Sequence, residues 1–221
     1  MSVSYKHNKI LFGGTGRKPP KDGFNVSQND LFTAGYAAID YIKSQKEGAR
    51  CFVIAEEGLK QDFERYGIHV ANDTGPVDYV VVGHDSSLYF KTLDTAFRHI
   101  MNDAGFIGIH KSRRYPAEDG FHISAGLFVH GLEFATGKEA TIIGKPNPRF
   151  FKSAMERIGA KKNETVMVGD DIFDDIRGAQ DYGLMVVFVE SGKSKKEDLE
   201  SYNIKPDFVL PTIANIRDVL K

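Results

Sequence analysis

Cysteine is nearly missing from this chain. Cys51 is the one thiol among 221 residues, so no internal disulfide staples the fold, and a reducing compartment suits it. It lies in Arg50-Cys-Phe-Val-Ile-Ala55, a run that reads as a buried strand, which makes it a packing thiol rather than a nucleophile. Long apolar runs are missing too. No stretch approaches the roughly 18 residues needed to span a bilayer, and the opening Met-Ser-Val-Ser-Tyr-Lys-His-Asn lacks the apolar core of a secretion signal. An excess of either charge is also absent: 29 Lys and Arg oppose 30 Asp and Glu, for a net charge of −1. That balance excludes a dominant surface for nucleic acid or anionic membrane, and neither is expected as a partner. The expectation is a soluble, cytoplasmic, globular protein. Its 41% apolar content gives core enough for one large domain or two modest ones.

What is present alternates. Lys9–Phe12, Cys51–Ala55, Tyr79–Gly83, Gly105–His110, Thr141–Gly144, Thr165–Gly169, Met185–Val189 and Phe208–Leu210 read as short apolar strands. Between them, Gln28–Ser44, Glu57–Tyr66, Leu88–Asn102, Leu127–Ala135, Arg149–Ile158, Asp174–Tyr182 and Ile213–Leu220 read as amphipathic helices. The segment 111–124 is polar and turn-rich. Strands alternating with helices of roughly 10 to 15 residues predict an α/β fold with a parallel sheet. A seam near 135–145 predicts a middle unit of residues 24–138, with 1–23 and 139–221 joining to form the other.

Chemistry concentrates in Thr165-Val-Met-Val-Gly-Asp-Asp-Ile-Phe-Asp-Asp175. Four carboxylates, Asp170, Asp171, Asp174 and Asp175, follow a buried strand directly. Ligands of open α/β sheets bind beyond the carboxyl ends of the strands. Hard oxygen donors there suit Mg²⁺, which is held by one or two carboxylates together with water and substrate phosphate. A plain helix start also favours Asp, but one carboxylate would serve that purpose. The second constellation is Gly144-Lys-Pro-Asn-Pro148, where Lys145 follows a strand and a helix starts just behind. A point cation beside helix amides suits a phosphate. Together the two segments describe a phosphoryl-transfer site, where positioning and charge neutralisation dominate.

Gly-Lys-Pro-x-Pro-x-x-Phe151, the next strand, then Val-Gly-Asp-Asp-x-x-x-Asp175 and Gly-Ala-Gln180 resemble the third and fourth motifs of the haloacid dehalogenase superfamily. Asp30–Ala38, Glu56–Leu59, Tyr79–Gly83 and Thr95–Arg98 are similar to the α/β cap of its NagD-like branch. Ile109-His-Lys-Ser-Arg-Arg-Tyr115 with Asp119-Gly120 looks most like the phospholysine phosphohistidine inorganic pyrophosphate phosphatase group. The resemblance implies a Rossmann-like parallel core with an inserted α/β cap, and a Mg²⁺-dependent phosphatase acting on a small phosphomonoester or phosphoramidate. It makes Lys145 and Asp170 catalytic, Asp170 the metal ligand, and Asp175 a supporting carboxylate of the metal site. Gly14, Thr15, Lys145, Lys111 and Tyr115 would bind substrate, with Arg113 and Arg114 on the same cap loop. Asp171 and Asp174 read as solvated helix-start acids.

One part of the family pattern is absent from this sequence. Members carry a strand ending in Asp-x-Asp-Gly, whose aspartates attack phosphorus and move the proton; no Asp-x-Asp occurs here. Ile10-Leu-Phe-Gly-Gly-Thr-Gly-Arg17 resembles the following strand and turn, with Phe12 where a hydroxyl residue stands and Thr15 as the substitute. By position, His7 and Asp22 are the nearest stand-ins; both read as surface residues. The expectation is therefore half an active site on a core truncated at its amino end. The alternative is a catalytically dead relative that binds anionic ligands or a protein through its cap. A sheet missing a strand exposes apolar surface and unpaired backbone, so a homodimer or a marginally stable core is expected.

Overall fold

Two compact units share the chain: Met1–Thr33 with Lys145–Lys221, and Ala34–Gly144 between them. The computed structural model describes residues 2–6, 9–13, 31–117 and 119–219, and for 2–6, 9–13, Pro116 and Asp218 the backbone alone. The outer unit begins with β1 (Ser2–Lys6), β2 (Lys9–Gly13) and β3 (Leu31–Phe32). The middle unit follows as α1 (Ala34–Gln45), β4 (Arg50–Ile54), α2 (Glu57–Arg65), β5 (His69–Val70) and β6 (Tyr79–Val82). It continues with α3 (Phe90–Met101), β7 (Gly105–Gly108), β8 (Arg114–Ala117), β9 (Gly120–Ile123), α4 (Gly126–Thr136) and β10 (Thr141–Ile142). The chain then completes the outer unit with α5 (Pro148–Ile158), β11 (Val166–Gly169), α6 (Gly178–Tyr182), β12 (Met185–Val189), α7 (Lys196–Ser201) and β13 (Phe208–Leu210).

The middle sheet is wholly parallel, in the order β10-β7-β6-β4-β5. Parallel strands are covered on both faces, which is why they read as unbroken apolar runs. Val80, Val81 and Val82 have no exposed surface at all. On one face Ile54, Val80 and Val82 pack with Ala96 and Ile100 of α3 and with Val129 and Leu132 of α4. The outer sheet runs β13-β12-β11-β1-β2-β3. Its β11, β12 and β13 are parallel neighbours around Val166, Val168, Val187, Val189 and Leu210. Between β11 and β2 lies β1, antiparallel to both. The gap expected in this sheet is thus filled by a strand the sequence pattern did not reveal.

Three local readings change. Leu31–Phe32, expected at the start of a helix, pairs as β3 with Phe12 and Gly13; Phe32 is buried against the Phe150 ring at 5.3 Å. Thr141–Ile142, expected with the outer unit, pairs with β7 and so joins the middle sheet. The polar segment after β7 folds as the β8–β9 hairpin, with Arg114 opposite Ile123 and Ala117 opposite Gly120. Gly120 takes φ 128°, a conformation that L side chains resist, and this closes the turn. Among the described residues, no helix is long and apolar enough to cross a membrane.

His99 is the one titratable side chain of α3 that is buried, 6% exposed. Its ring lies 5.2 Å from that of Phe52, and its Nε2 has no hydrogen-bond partner. Burial and the Arg50 charge lower its pKa below the ordinary 6.5, against the opposing pull of Asp73. Above that ordinary value the ring is neutral folded and unfolded alike. As pH falls below it, the unfolded chain takes up the proton first, and stability drops by at most about 1.4 kcal/mol per pH unit. Urea unfolding is expected to show a lower midpoint at pH 5.5 than at pH 7.5, with a smaller pH difference in His99→Leu. An unchanged difference in the variant would clear His99 as the cause.

Candidate functional site

The carboxyl end of β11 is where sequence and geometry meet. Asp170 and Asp171 leave the strand, and Ile172–Arg177 then winds as a π-helical turn running into α6. Such turns are rare and concentrate at functional sites. Asp171 is its N-cap: one carboxylate oxygen accepts the amides of Phe173 and Asp174, both at 3.0 Å. Its other oxygen is ion-paired with Lys193, and the side chain is only 13% exposed. The helix-start reading of Asp171 is therefore right, and the solvated one is not.

Asp175 is folded back beneath the strand. Its side chain is 3% exposed, and Oδ1 lies 2.6 Å from Lys145 Nζ. Its Oδ2 accepts a long bond, 3.4 Å, from the Asp171 amide. Two glycines make this possible. A Cβ on Gly169 would stand 2.3 Å from Asp175 Cβ. A Cβ on Gly178 would stand 2.8 Å from Pro146 Cβ, so only glycine lets the Lys145–Pro146 turn press against α6. Asn147 caps α5 by accepting the Arg149 amide at 3.0 Å, and Pro148 opens the helix, which fixes the other side of the turn. Asp175 thus engages Lys145 and the Asp171 amide.

Asp170 is gripped by the loop after β12, which sequence reasoning had passed over. The Lys193 amide donates to Asp170 Oδ2 at 2.8 Å, and the Ser194 amide to its carbonyl at 3.0 Å. Ser194 Oγ accepts the Ile172 amide at 3.2 Å. A Cβ on Gly192 would fall 2.0 Å from Asp170 Oδ2. The available signal was Gly192-Lys-Ser194 following a strand, since adjacent strands of a parallel sheet deliver their carboxyl ends to one crevice. Asp174 completes the group. Burial, then the Asp171 and Asp175 charges, push its carboxyl up to about 6, while Lys193 and Lys145 pull the other way. Burial opposes the charge on Lys193, but the bond and charge of Asp171, with Asp174 and Asp175, hold its pKa above the usual lysine range. Among the described residues, carboxylates outnumber lysines in this group. Among the described residues, no group of three or more His, Cys, Asp or Glu forms a ready metal cage.

The remaining candidates lie elsewhere. Gly14 and Thr15, like His7 and Asp22, are outside the described residues. Lys111 and Tyr115 belong to the middle unit. Lys111 Nζ is 2.7 Å from Glu133, which also accepts the Ala140 amide and meets His130. Burial opposes that carboxylate's charge, but Lys111, the amide and His130 hold its pKa below the usual range. Tyr115 sits on β8 between the rings of His84 at 5.3 Å and His122 at 5.6 Å. Arg114 covers Phe121 at 4.2 Å. Asp85, after β6, is occupied by the Ser87 amide and hydroxyl, as a strand-end turn requires.

This arrangement has known counterparts. Haloacid dehalogenase-like hydrolase domain-containing protein 2 of Homo sapiens is 34% identical over 183 residues, which cover 83% of this chain and 68% of that protein. This chain belongs to the haloacid dehalogenase superfamily. Residues 142–216 match its HAD-hydrolase-like family, and residues 18–69 its haloacid dehalogenase-like hydrolase family. The phospholysine phosphohistidine inorganic pyrophosphate phosphatase of Homo sapiens is 30% identical over 200 residues, 90% of this chain and 72% of that one. Among solved structures, the p-nitrophenyl phosphatase from Archaeoglobus fulgidus superimposes with a TM-score of 0.83 at 27% identity, covering 89% of this chain and 77% of its own. NagD from E. coli gives 0.78 at 27%, covering 87% and 74%. Within the superfamily the chain falls in this NagD-like, p-nitrophenyl phosphatase branch.

Two substitutions test the geometry. Lys145→Met leaves Asp175 charged, buried and unpaired, and is expected to cost about 3–5 kcal/mol in urea unfolding at pH 7. Adding Asp175→Asn should recover much of that loss; a single variant as stable as wild type would mean the pair does not hold the turn. Gly192→Ala is expected to displace Asp170, seen as changed amide chemical shifts at Asp170, Asp171 and Ser194. Unmoved shifts there would show that the loop yields instead.

Proposed function

We propose that this haloacid dehalogenase superfamily member is a Mg²⁺-dependent phosphatase-type hydrolase acting on a small phosphomonoester or phosphoramidate. The observation that carries the reading is the Lys145–Asp175 pair beside Asp170 at the carboxyl end of β11. Relatives named for p-nitrophenyl phosphate and for phospholysine, phosphohistidine and pyrophosphate support the substrate class. The donor set fits Mg²⁺, which keeps several waters and needs only one or two carboxylates beside a phosphate. Asp170 would hold it, and when bound it would neutralise charge on the transferring phosphoryl group.

The chain's own residues divide the rest of the work. Asp175, buried and bonded to Lys145, holds that ammonium fixed where phosphoryl oxygens would meet it. Preorganised charge of this kind acts without reorganising as the transition state forms. Gly192 and the Lys193 amide orient the Asp170 carboxylate. Tyr115 and Lys111 of the middle unit are proposed to set substrate preference. The sequence contains no Asp-x-Asp, and among the described residues none is assigned the nucleophile's part.

A second reading, a binding protein without turnover, draws on one observation. The β8–β9 hairpin leaves Phe121 63% and Ile123 60% exposed, a surface suited to a protein partner. Phosphate release from p-nitrophenyl phosphate and from phosphoramidate, with and without Mg²⁺, separates the two. The hydrolase reading expects Mg²⁺-dependent release that Asp170→Asn and Lys145→Ala each lower at least a hundredfold, in keeping with the loss of a preorganised charge. Release indifferent to both substitutions would remove these residues from the site. Mg²⁺-dependent binding of inorganic phosphate with no release would favour the second reading.

A further inference from the structure

A lysine placed among carboxylates that attract a divalent cation works against that attraction, so Lys193 calls for a physical reason. Its ammonium is paired with Asp171 Oδ2, while Asp171 Oδ1 holds the Phe173 and Asp174 amides. Both oxygens of this sheltered carboxylate are therefore taken by groups of the chain. The Lys193 amide, joined directly to Gly192, meanwhile grips Asp170 Oδ2. The side chain itself is 43% exposed, reaching in from solvent across the acidic turn. Without it, the acidic turn would lose one of the two lysines that act on it, and Asp171 would be left charged and largely desolvated.

We propose that Lys193 is a built-in counter-cation of the acidic turn: it occupies Asp171, keeps that carboxylate out of metal coordination, and holds the turn folded before any metal arrives. The proposal rests on the Mg²⁺ reading above, and it predicts an exchange between intrinsic and bound charge. Removing the ammonium while keeping an apolar stem raises the negative charge of the site by one. The metal-free protein should lose stability, and the metal should bind more tightly and restore it. A lysine that merely positions Asp170 predicts the opposite sign for metal affinity.

The test compares wild type, Lys193→Met and Lys193→Arg by titration calorimetry with Mg²⁺ and by melting with and without the metal. Lys193→Met is expected to melt a few degrees lower without metal, to bind Mg²⁺ roughly tenfold more tightly, and to recover its melting temperature at saturating Mg²⁺. Lys193→Arg should behave as wild type in all three. Weaker Mg²⁺ binding by Lys193→Met, or a metal-free melting temperature equal to wild type, overturns the counter-cation role. Asp170→Asn serves as the control for the underlying reading: Mg²⁺ heats that survive it place the metal elsewhere. Should wild type take up no Mg²⁺, the site reading fails, and the metal-free melting temperature of Lys193→Met alone decides whether the lysine steadies the turn.

Discussion

The buried carboxylate of Asp175 is the constraint on which the outer unit turns. A charge 3% exposed at the side chain is stable only when paired, and Lys145, thirty residues earlier, is what pairs it. That requirement reaches outward through close contacts. It demands glycine at 169, where the strand end passes over the carboxylate, and at 178, where the helix receives Pro146. The Asn147 cap and Pro148 then hold the lysine's turn against α5. Local backbone chemistry and one ion pair thus specify each other, and the same pair leaves an ammonium fixed at the mouth of the sheet.

The turn after β11 is π-helical and crowded with charge. A helix needs one capping acid, and Asp171 supplies it. Asp175 is paired with Lys145, and Asp174 is extra to folding and raises its cost. That cost is visible in Asp174, whose carboxyl is driven up to about 6 by burial and by its neighbours. Two lysines from separate segments offset part of it. Structures that keep such unfavourable electrostatics do so where a ligand completes the balance, which is why perturbed carboxylates gather at functional sites.

Much of this was legible in the residues. The longer parallel strands β4, β6, β7, β11 and β12 show as apolar runs because they are buried on both faces, and the acidic motif showed as a run of carboxylates directly after one of them. What escaped had weaker local signals. β3 is two residues long and owes its existence to β2, a tertiary partner rather than a propensity. The β8–β9 hairpin alternates as a strand should, but its polar residues and exposed faces resemble a loop. Lys193 sits in a Ser-Gly-Lys-Ser stretch that looks like a solvated linker. Its role appears only once β12 lies beside β11 and the two carboxyl ends share an edge.

Strand direction gives the last link between the fold and its chemistry. β1 runs antiparallel to β11 and to β2, while β2 is parallel to β3. With Val3 opposite Val168 and Ser2 opposite Gly13, the amino end of β1 lies level with the carboxyl ends of β11 and β2. The edge that carries Asp170 is therefore built from strands leaving the sheet on both sides of one that enters it. The carboxyl end of β1 lies on the opposite edge, where Lys6 pairs with Lys9 at the start of β2. Beside Asp170 on that edge stand two backbone ends, the start of β1 at Ser2 and the end of β2 at Gly13.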